Sequence, residues 1–144
     1  MLRREAFRLP RHPASVGLAR LRVRDHLTAW GHGADDLAVA DAALLVSELA
    51  TFLVRHGPLR EREFEVAVTV LADGSCFIEV SDEAEAGPEL RAGPGLLIGL
   101  GADEQGRGLR LVESLASAWG VWDRGVHGRT IWVLVGTPTR APVP

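Results

Sequence analysis

The sequence predicts an α+β fold, a two-layer α/β sandwich in which a mixed, mostly antiparallel five-stranded sheet carries three helices on one face. Two observations predict it. Apolar residues recur at helical spacing over residues 14–30 and from about residue 35 to His56. Apolar and polar residues alternate at strand spacing over residues 64–70 and 76–81, and the short turn between these segments favours an antiparallel hairpin.

The first half of the chain predicts one strand and two helices. Residues 5–9 alternate in polarity and predict an edge strand before Pro10. Residues 14–30 predict the first helix, and the second helix extends to His56. Capping and breaking residues set the ends of these helices: Ser15, Gly31 and Gly33 for the first, and Asp35 or Asp36 and Gly57-Pro58 for the second.

The second half of the chain predicts a hairpin, a helix and two final strands. Residues 64–70 and 76–81 form the hairpin, and a third helix is expected over residues 108–119. The final strands are predicted over residues 121–124 and 129–135. We expect three tryptophans to pack the third helix on the sheet: Trp119, Trp122 and Trp132.

Length and composition predict one globular domain. With 144 residues, of which 47% are apolar and 24% charged, the chain can bury a single core. We expect this domain over residues 1–135, followed by a flexible tail, residues 136–144, that contains three prolines. The net charge of −3 gives no reason to expect a nucleic-acid partner.

The sequence also bears on location and on metal chemistry. No stretch approaches the roughly 18 apolar residues of a membrane helix, and the first residues lack the apolar core of a secretory signal. We therefore expect a cytoplasmic protein without a membrane partner. The single cysteine, Cys76, excludes an internal disulfide and is expected to be buried. The five histidines lack the spacing of metal ligands, so no metal site is expected from them.

Four segments, in matching order over roughly residues 10 to 135, carry a resemblance to a known family. The segments are Ser47–Gly57, Ile78–Asp82, Gly106–Val112 with Ala118–Val121, and Gly128–Trp132. They resemble the motifs of Bergerat-fold, histidine-kinase-like ATPase domains, in particular the actinobacterial serine kinases that act as anti-sigma factors.

The first segment contains one residue that departs from the family pattern. Glu48, Phe52 and His56 are four residues apart and therefore share one helix face. The resemblance implies that Glu48 is the catalytic general base or orients the attacking hydroxyl, and that His56 supports the helix end. It also implies that Phe52 replaces the family's magnesium-binding asparagine. The ring has no lone pair for a metal and the chain has no asparagine, so we expect magnesium binding to be weakened, whether Phe52 faces the phosphates or turns into the core.

The second and fourth segments concern the adenine base. The resemblance implies that Asp82 accepts a hydrogen bond from the adenine amino group and that Thr130 supports this contact through its hydroxyl. Two glycines that follow the aspartate in the family are Ala84 and Ala86 here, which restricts the approach of the backbone to a ligand. The structural alternative for Asp82 is a turn residue at the end of a strand.

The third segment concerns the phosphates. Gly106, Arg107, Gly108 and Leu109 open the third helix, where free N–H groups and an arginine suit a phosphate site. The alternative is a flexible loop before a helix. The residues before it, 83–105, correspond to the family's ATP lid and include an apolar run over residues 94–101. This run either fills the nucleotide pocket from within or binds a partner.

Three functional hypotheses follow from the resemblance. The first is a regulatory protein that binds a sigma factor or an anti-anti-sigma-type antagonist domain, with the use of ATP and magnesium weakened or lost. The second is an active Mg-ATP-dependent serine kinase, in which Glu48 or another oxygen would hold the metal. The third retains ATP or ADP as a structural ligand that binds with little metal. The resemblance also implies a homodimer.

Overall fold

The computed structural model describes residues 3–32, 37–56, 63–83, 112, 114–123 and 128–136. The elements in chain order are β1 (Arg3–Pro10), α1 (Ala14–Ala29), α2 (Leu37–His56), β2 (Glu63–Val70), β3 (Cys76–Asp82), β4 (Ala118–Asp123) and β5 (Arg129–Val135). The strands form one sheet in the order β1-β2-β3-β5-β4, and each of these pairings is antiparallel. The predicted α+β fold is confirmed, although the described sheet is fully antiparallel rather than mixed.

The β2–β3 hairpin forms as predicted, and a short polar turn closes it. The backbone N–H of Ser75 donates to Oδ1 of Asp73 at 2.9 Å, and the Ser75 hydroxyl donates to the same oxygen at 2.6 Å. These hydrogen bonds lower the pKa of the Asp73 carboxyl. Gly74 has φ +90°, a conformation that favours glycine. The turn therefore sets the pairing of Val70 with Cys76.

The core lies between the sheet and the two described helices. The strands contribute every second side chain, as the alternation of β3 illustrates, and Cys76 is buried among them as expected. The helices contribute the stripes that face the sheet. Core residues include Ala19, Val23 and Leu27 of α1, Val46, Leu49 and Leu53 of α2, and Val66, Ile78, Val80, Ile131 and Val133 of the strands. Among the described helices, none is both long enough and apolar enough to cross a membrane.

The N-terminus of α1 differs from the prediction. Helix α1 begins after Pro13, which makes no side-chain capping hydrogen bond, and Nδ1 of His12 accepts a hydrogen bond from the backbone N–H of Ala14 at 3.0 Å. Ser15, predicted as the N-cap, is instead buried in the first turn, and its backbone N–H donates to the carbonyl oxygen of His12 at 2.9 Å. Proline suits the start of a helix because its fixed φ is helical and it has no N–H to satisfy. The residues predicted to cap and end α2 lie outside the described residues.

The end of the predicted third helix is a strand. Val112, Ser114 and Leu115 are helical, but β4 begins at Ala118, three residues before the predicted strand. The prediction that residues 118–119 are helical is therefore wrong. Ala118 and Trp119 pair with Leu134 and Val133 of β5, so the sheet satisfies their backbone groups.

Two of the three tryptophans lie on the sheet face opposite the core. Phe77, Trp122 and Trp132 form an aromatic cluster with ring centroids 5.6–6.0 Å apart, in which Trp122 is 45% exposed. Gly120 makes room for this cluster, because a Cβ atom there would lie 2.8 Å from Cζ2 of Trp132. The prediction that all three tryptophans pack on the third helix is therefore wrong for Trp122 and Trp132. Trp119, which points to the other face, packs against the core.

Candidate functional site

Helix α2 places Glu48 and Phe52 one turn apart on one face, as predicted. Glu48 is half-buried, and this burial raises the pKa of its carboxyl above the ordinary value of 4.5. The charge of Arg20 on α1 acts in the opposite direction and is the smaller effect. A raised pKa makes the ionised carboxylate a stronger base.

Phe52 is a core residue. It is 5% exposed and belongs to the same buried cluster as Leu49 and Leu53, which are its neighbours on α2. Of the two orientations considered for this ring, the structure has the inward one. Since a phenyl ring offers no oxygen or nitrogen, this position of α2 supplies no ligand for a metal.

The hydroxyls of Ser47 and Thr51, which lie next to Glu48 and Phe52 in the sequence, form hydrogen bonds within α2. The Ser47 hydroxyl donates to the carbonyl oxygen of Leu44 at 2.7 Å, and the Thr51 hydroxyl donates to the carbonyl oxygen of Ser47 at 2.8 Å. Bonds of this kind are usual for serine and threonine within helices.

Asp82, at the end of β3, pairs with Arg129 at the start of β5. The two residues are directly opposite in the antiparallel register. The Arg129 guanidinium donates from Nε to Oδ1 at 2.8 Å and from Nη2 to Oδ2 at 3.0 Å, so both carboxylate oxygens accept a bond. The side chains are 4% and 0% exposed. This is a buried, bidentate ion pair of the strongest geometry that arginine forms.

A second arginine completes the arrangement. Arg11 lies between β1 and α1, and its Nη2 donates to Oδ2 of Asp82 at 2.8 Å. Its Nη1 donates to the backbone carbonyl oxygen of Leu53 on α2. Arg11 is 7% exposed at its side chain. It therefore links the end of β1, helix α2 and the end of β3 through a single buried side chain.

On the side of helix α2, the Phe52 ring contacts this group of charged residues. The guanidinium carbon of Arg129 lies 5.6 Å from the centroid of the Phe52 ring, within the range of a cation–π contact. We refer to Arg11, Phe52, Asp82 and Arg129 as the Asp82 cluster. Arg129 therefore contacts two residues of the predicted site. One is Phe52, which the resemblance aligns with a metal ligand, and the other is Asp82, which it assigns to the adenine amino group.

The strand ends approach closely because residue 128 is glycine. Gly128 has φ +118°, and a Cβ atom there would lie 2.5 Å from the backbone oxygen of Asp82. Any other residue would therefore separate the start of β5 from the end of β3. Gly128 thus allows Arg129 to reach Asp82.

Thr130 is not brought together with Asp82. Successive side chains of a strand point to opposite faces. Arg129 faces the helices with Asp82, whereas the Thr130 hydroxyl bonds to the hydroxyl of Ser81 at 2.7 Å on the other side of the sheet. Thr130 is buried there. Its role in an adenine contact stays a prediction, and the residue of β5 that faces Asp82 is Arg129.

The remaining residues of the predicted site lie outside the described part of the chain. These are Gly106, Arg107, Gly108 and Leu109, together with the lid over residues 83–105 except Glu83, which is exposed. The His56 side chain is also outside it. Ala84 and Ala86 fall in the same lid segment.

The sequence analysis missed Arg11 and Arg129. One signal was available for Arg129, which is a charged residue at the start of an apolar strand and directly precedes Thr130. No comparable signal existed for Arg11, because 71 positions separate it from Asp82 and only the folded chain brings them together.

The described residues do not fit a bound Mg-adenine nucleotide without rearrangement. Both oxygens of the Asp82 carboxylate accept hydrogen bonds from arginine, and Phe52, which the resemblance aligns with a metal ligand, is a buried apolar ring. Among the residues that the structure describes, no group of three or more His, Cys, Asp or Glu side chains could hold a metal ion. Of Glu48, Phe52 and His56, which share one helix face, only Glu48 has a side-chain oxygen that could bind a metal.

Similar solved structures share this fold at low sequence identity. The crystal structure of the RsbU and RsbW domains of Rv1364c from Mycobacterium tuberculosis has a TM-score of 0.65 and 19% identity over 92% of this chain, and this chain spans 32% of its length. The SiaB–SiaC complex from Pseudomonas aeruginosa matches with a TM-score of 0.61 and 15% identity, covering 91% of this chain and 88% of that one. A search of curated proteins finds no match.

A third structure extends the likeness to sensor kinases. The histidine kinase domain of the blue-light activated histidine kinase from Erythrobacter litoralis EL346 has a TM-score of 0.52 and 18% identity, covering 83% of this chain and 64% of that one. The family model described as the histidine kinase-like ATPase domain matches residues 9–134, which is most of the chain. The order of motifs and the antiparallel sheet with its helices on one face agree with this match. The chain therefore belongs to the histidine kinase-like ATPase domain family.

Proposed function

We propose that this chain is a regulatory protein of the anti-sigma type that acts mainly by binding another protein, with the use of ATP and magnesium weakened or lost. The observation that carries the proposal is Phe52, which lies in the core at the position where the related kinases hold magnesium. The site would lose a metal ligand directly, and even the loss of a residue that only supports a ligand typically lowers metal affinity by about 10–100-fold. The ion pair of Asp82 and Arg129 supports the same conclusion, because both oxygens of the carboxylate that the resemblance assigns to adenine accept bonds from arginine.

The proposed partner is a sigma factor or an antagonist domain of the anti-anti-sigma type. Two of the similar folds support a protein partner: one is an RsbW domain, and the other is SiaB, whose structure is a complex with SiaC. The proposal also includes that this chain is cytoplasmic and forms a homodimer. Binding would be tested by size-exclusion chromatography with light scattering, using purified sigma factors and antagonist domains from the organism of origin. A complex with one class is expected, and complexes with neither class would contradict the proposal.

The nucleotide part of the proposal is tested by titration calorimetry with ATP, once with magnesium and once with EDTA. We expect the wild-type protein to show no magnesium-dependent heat. Phe52→Asn introduces an amide oxygen at the position where the resemblance implies a metal ligand, so any ATP binding by this variant is expected to be tighter with magnesium than with EDTA. Phe52→Leu also shortens the side chain but supplies no oxygen, and therefore serves as the matched control. Micromolar, magnesium-dependent binding by the wild type would contradict the proposal.

One observation favours the second candidate, an active Mg-ATP-dependent serine kinase. Glu48 retains the carboxylate at the family's general-base position, and burial raises the pKa of this carboxyl, which strengthens it as a base. If the chain is an active kinase, radiolabelled phosphate should pass from ATP to a serine of the antagonist domain, and Glu48→Gln should abolish this transfer. If it is the proposed regulator, neither the wild-type protein nor Glu48→Gln should transfer phosphate. Binding of ATP or ADP in EDTA without any transfer would instead identify the third alternative, a structural nucleotide.

A further inference from the structure

We propose that the Arg129 guanidinium occupies the base-reading position of the pocket from within, so that Asp82 serves as the counter-ion of arginine and the site is closed to adenine. The inference deepens the proposed function and rests on it, because it assigns the loss of nucleotide binding to a particular side chain. It also makes Arg129 a residue that determines ligand specificity.

The first step concerns the hydrogen-bonding capacity of Asp82. An ionised carboxylate has about four sites at which it can accept hydrogen bonds. Three N–H donors from Arg11 and Arg129 already bind the two oxygens of Asp82, at 2.8, 2.8 and 3.0 Å. The adenine amino group is a neutral donor, and bonds from a charged donor are roughly twice as strong. Adenine would therefore compete for this carboxylate with three donors that form stronger bonds.

The second step concerns shape. A guanidinium is flat and presents N–H groups along its edge, as does the amino edge of adenine. The Arg129 guanidinium offers this edge to Asp82 and lies 5.6 Å from the Phe52 ring on the helix side. A base that approached the same edge of the Asp82 carboxylate would meet this guanidinium. Arg129 thus binds the carboxylate that adenine would need and blocks the approach of the base to it.

The third step concerns how firmly the arginine is held. Asp82 and Arg129 are opposite each other in the antiparallel register, and Gly128 allows their strands to approach. Arg11 adds a link from Asp82 to the backbone of Leu53 on α2. Displacement of Arg129 would therefore break two hydrogen bonds to Asp82 and the contact with the Phe52 ring, while Arg11 holds the Asp82 carboxylate in place.

The experiment measures ADP binding by calorimetry in EDTA, a condition that removes the contribution of the metal. We expect Arg129→Thr to bind ADP at least tenfold more tightly than the wild-type protein. Arg129→Lys keeps the positive charge but cannot donate the two guanidinium bonds to the carboxylate, so a smaller gain in ADP affinity is expected. Arg8→Thr removes an arginine from an exposed pair with Glu63 and should match the wild type. A folded Arg129→Thr protein without any gain, or wild-type binding as tight as that of Arg129→Thr, would overturn the proposal.

A measurement on the wild-type protein covers the case in which Arg129→Thr does not fold. The Nε–H of Arg129 should give a slowly exchanging NMR signal, assigned by its loss in Arg129→Lys and unchanged by millimolar ADP. A shift or accelerated exchange of this signal with ADP would overturn the proposal. Such a result without phosphate transfer would leave the proposed function standing, whereas transfer from Mg-ATP by the wild type would contradict the proposed function itself.

Discussion

Arg129 donates two hydrogen bonds to the Asp82 carboxylate, from Nε at 2.8 Å and from Nη2 at 3.0 Å, across the pair that ends the β3–β5 ladder. The pair is buried and Arg11 binds the same carboxylate. Buried charges are tolerated in proteins only when they are paired and hydrogen-bonded. The stability of the fold therefore depends on Asp82 more than on an ordinary residue at the end of a strand.

Asp82→Ala should strongly destabilise the protein. The change removes the carboxylate shared by Arg11 and Arg129, and breaking a buried ion pair from one side typically costs about 3–5 kcal/mol. Urea unfolding followed by circular dichroism measures the free energy of unfolding. Glu63→Ala is the control, since it breaks only the exposed pair with Arg8 and should cost less than about 1 kcal/mol. Equal effects of the two substitutions would contradict the importance of the buried pair.

Gly128→Ala should be more harmful than the same change in the hairpin turn. Both glycines have positive φ, but only at Gly128 would the new Cβ meet backbone, 2.5 Å from the oxygen of Asp82. We expect Gly74→Ala to cost about 1 kcal/mol from strain and Gly128→Ala about 3 kcal/mol or more. Thermal unfolding of the two variants provides the comparison. A cost at Gly128 no larger than that at Gly74 would show that the strand ends can separate without penalty.

Gly120→Ala should disturb the aromatic cluster. The added Cβ would lie 2.8 Å from the Trp132 indole, and forcing such a contact typically costs about 1–3 kcal/mol. Near-ultraviolet circular dichroism reports the packing of Phe77, Trp122 and Trp132. Gly17→Ala on α1 is the control, because its nearest atom is at 4.0 Å and alanine favours helix by about 0.5–1 kcal/mol. An unchanged near-ultraviolet spectrum of Gly120→Ala would count against the described packing.

Glu48 should make the protein less stable as the pH rises. Burial raises the pKa of this carboxyl in the folded state above its ordinary value of 4.5, so folding disfavours the ionised form. Well below pH 4.5 the group is protonated in both states and has no effect on stability. Its destabilising effect grows as the pH rises from about 4.5 through the raised pKa and is complete above it.

Glu48→Gln removes this effect and tests its sign. The variant should gain stability over the wild type at pH 7 and lose that advantage as the pH falls below about 4.5. Urea unfolding between pH 3.5 and pH 8 measures the difference. Glu5→Gln, which removes an exposed carboxylate from β1, serves as the control. A variant less stable than the wild type at pH 7 would mean that the ionised carboxylate is favoured in the folded protein.

Much of the fold follows from local pattern. Alternating polarity predicted β2 and β3, helical spacing predicted α1 and α2, and the polar turn at Asp73 predicted the hairpin. The misplaced boundary at Trp119 has a local cause as well: an apolar run without a clear period suits either a helix end or a strand, and only pairing with β5 decides between them.

The sequence by itself determined the order of the motifs, the family, and the positions of Glu48, Phe52 and Asp82 within it, because these depend on residue identity and spacing along the chain. The tertiary structure decided what Asp82 contacts. Arg129 and Arg11 are 47 and 71 positions away from it, and they meet it through strand register and through the path of the chain between β1 and α1. The same register placed Thr130 on the opposite face. Contacts of this range depend on the packing of the whole sheet, which no local pattern encodes.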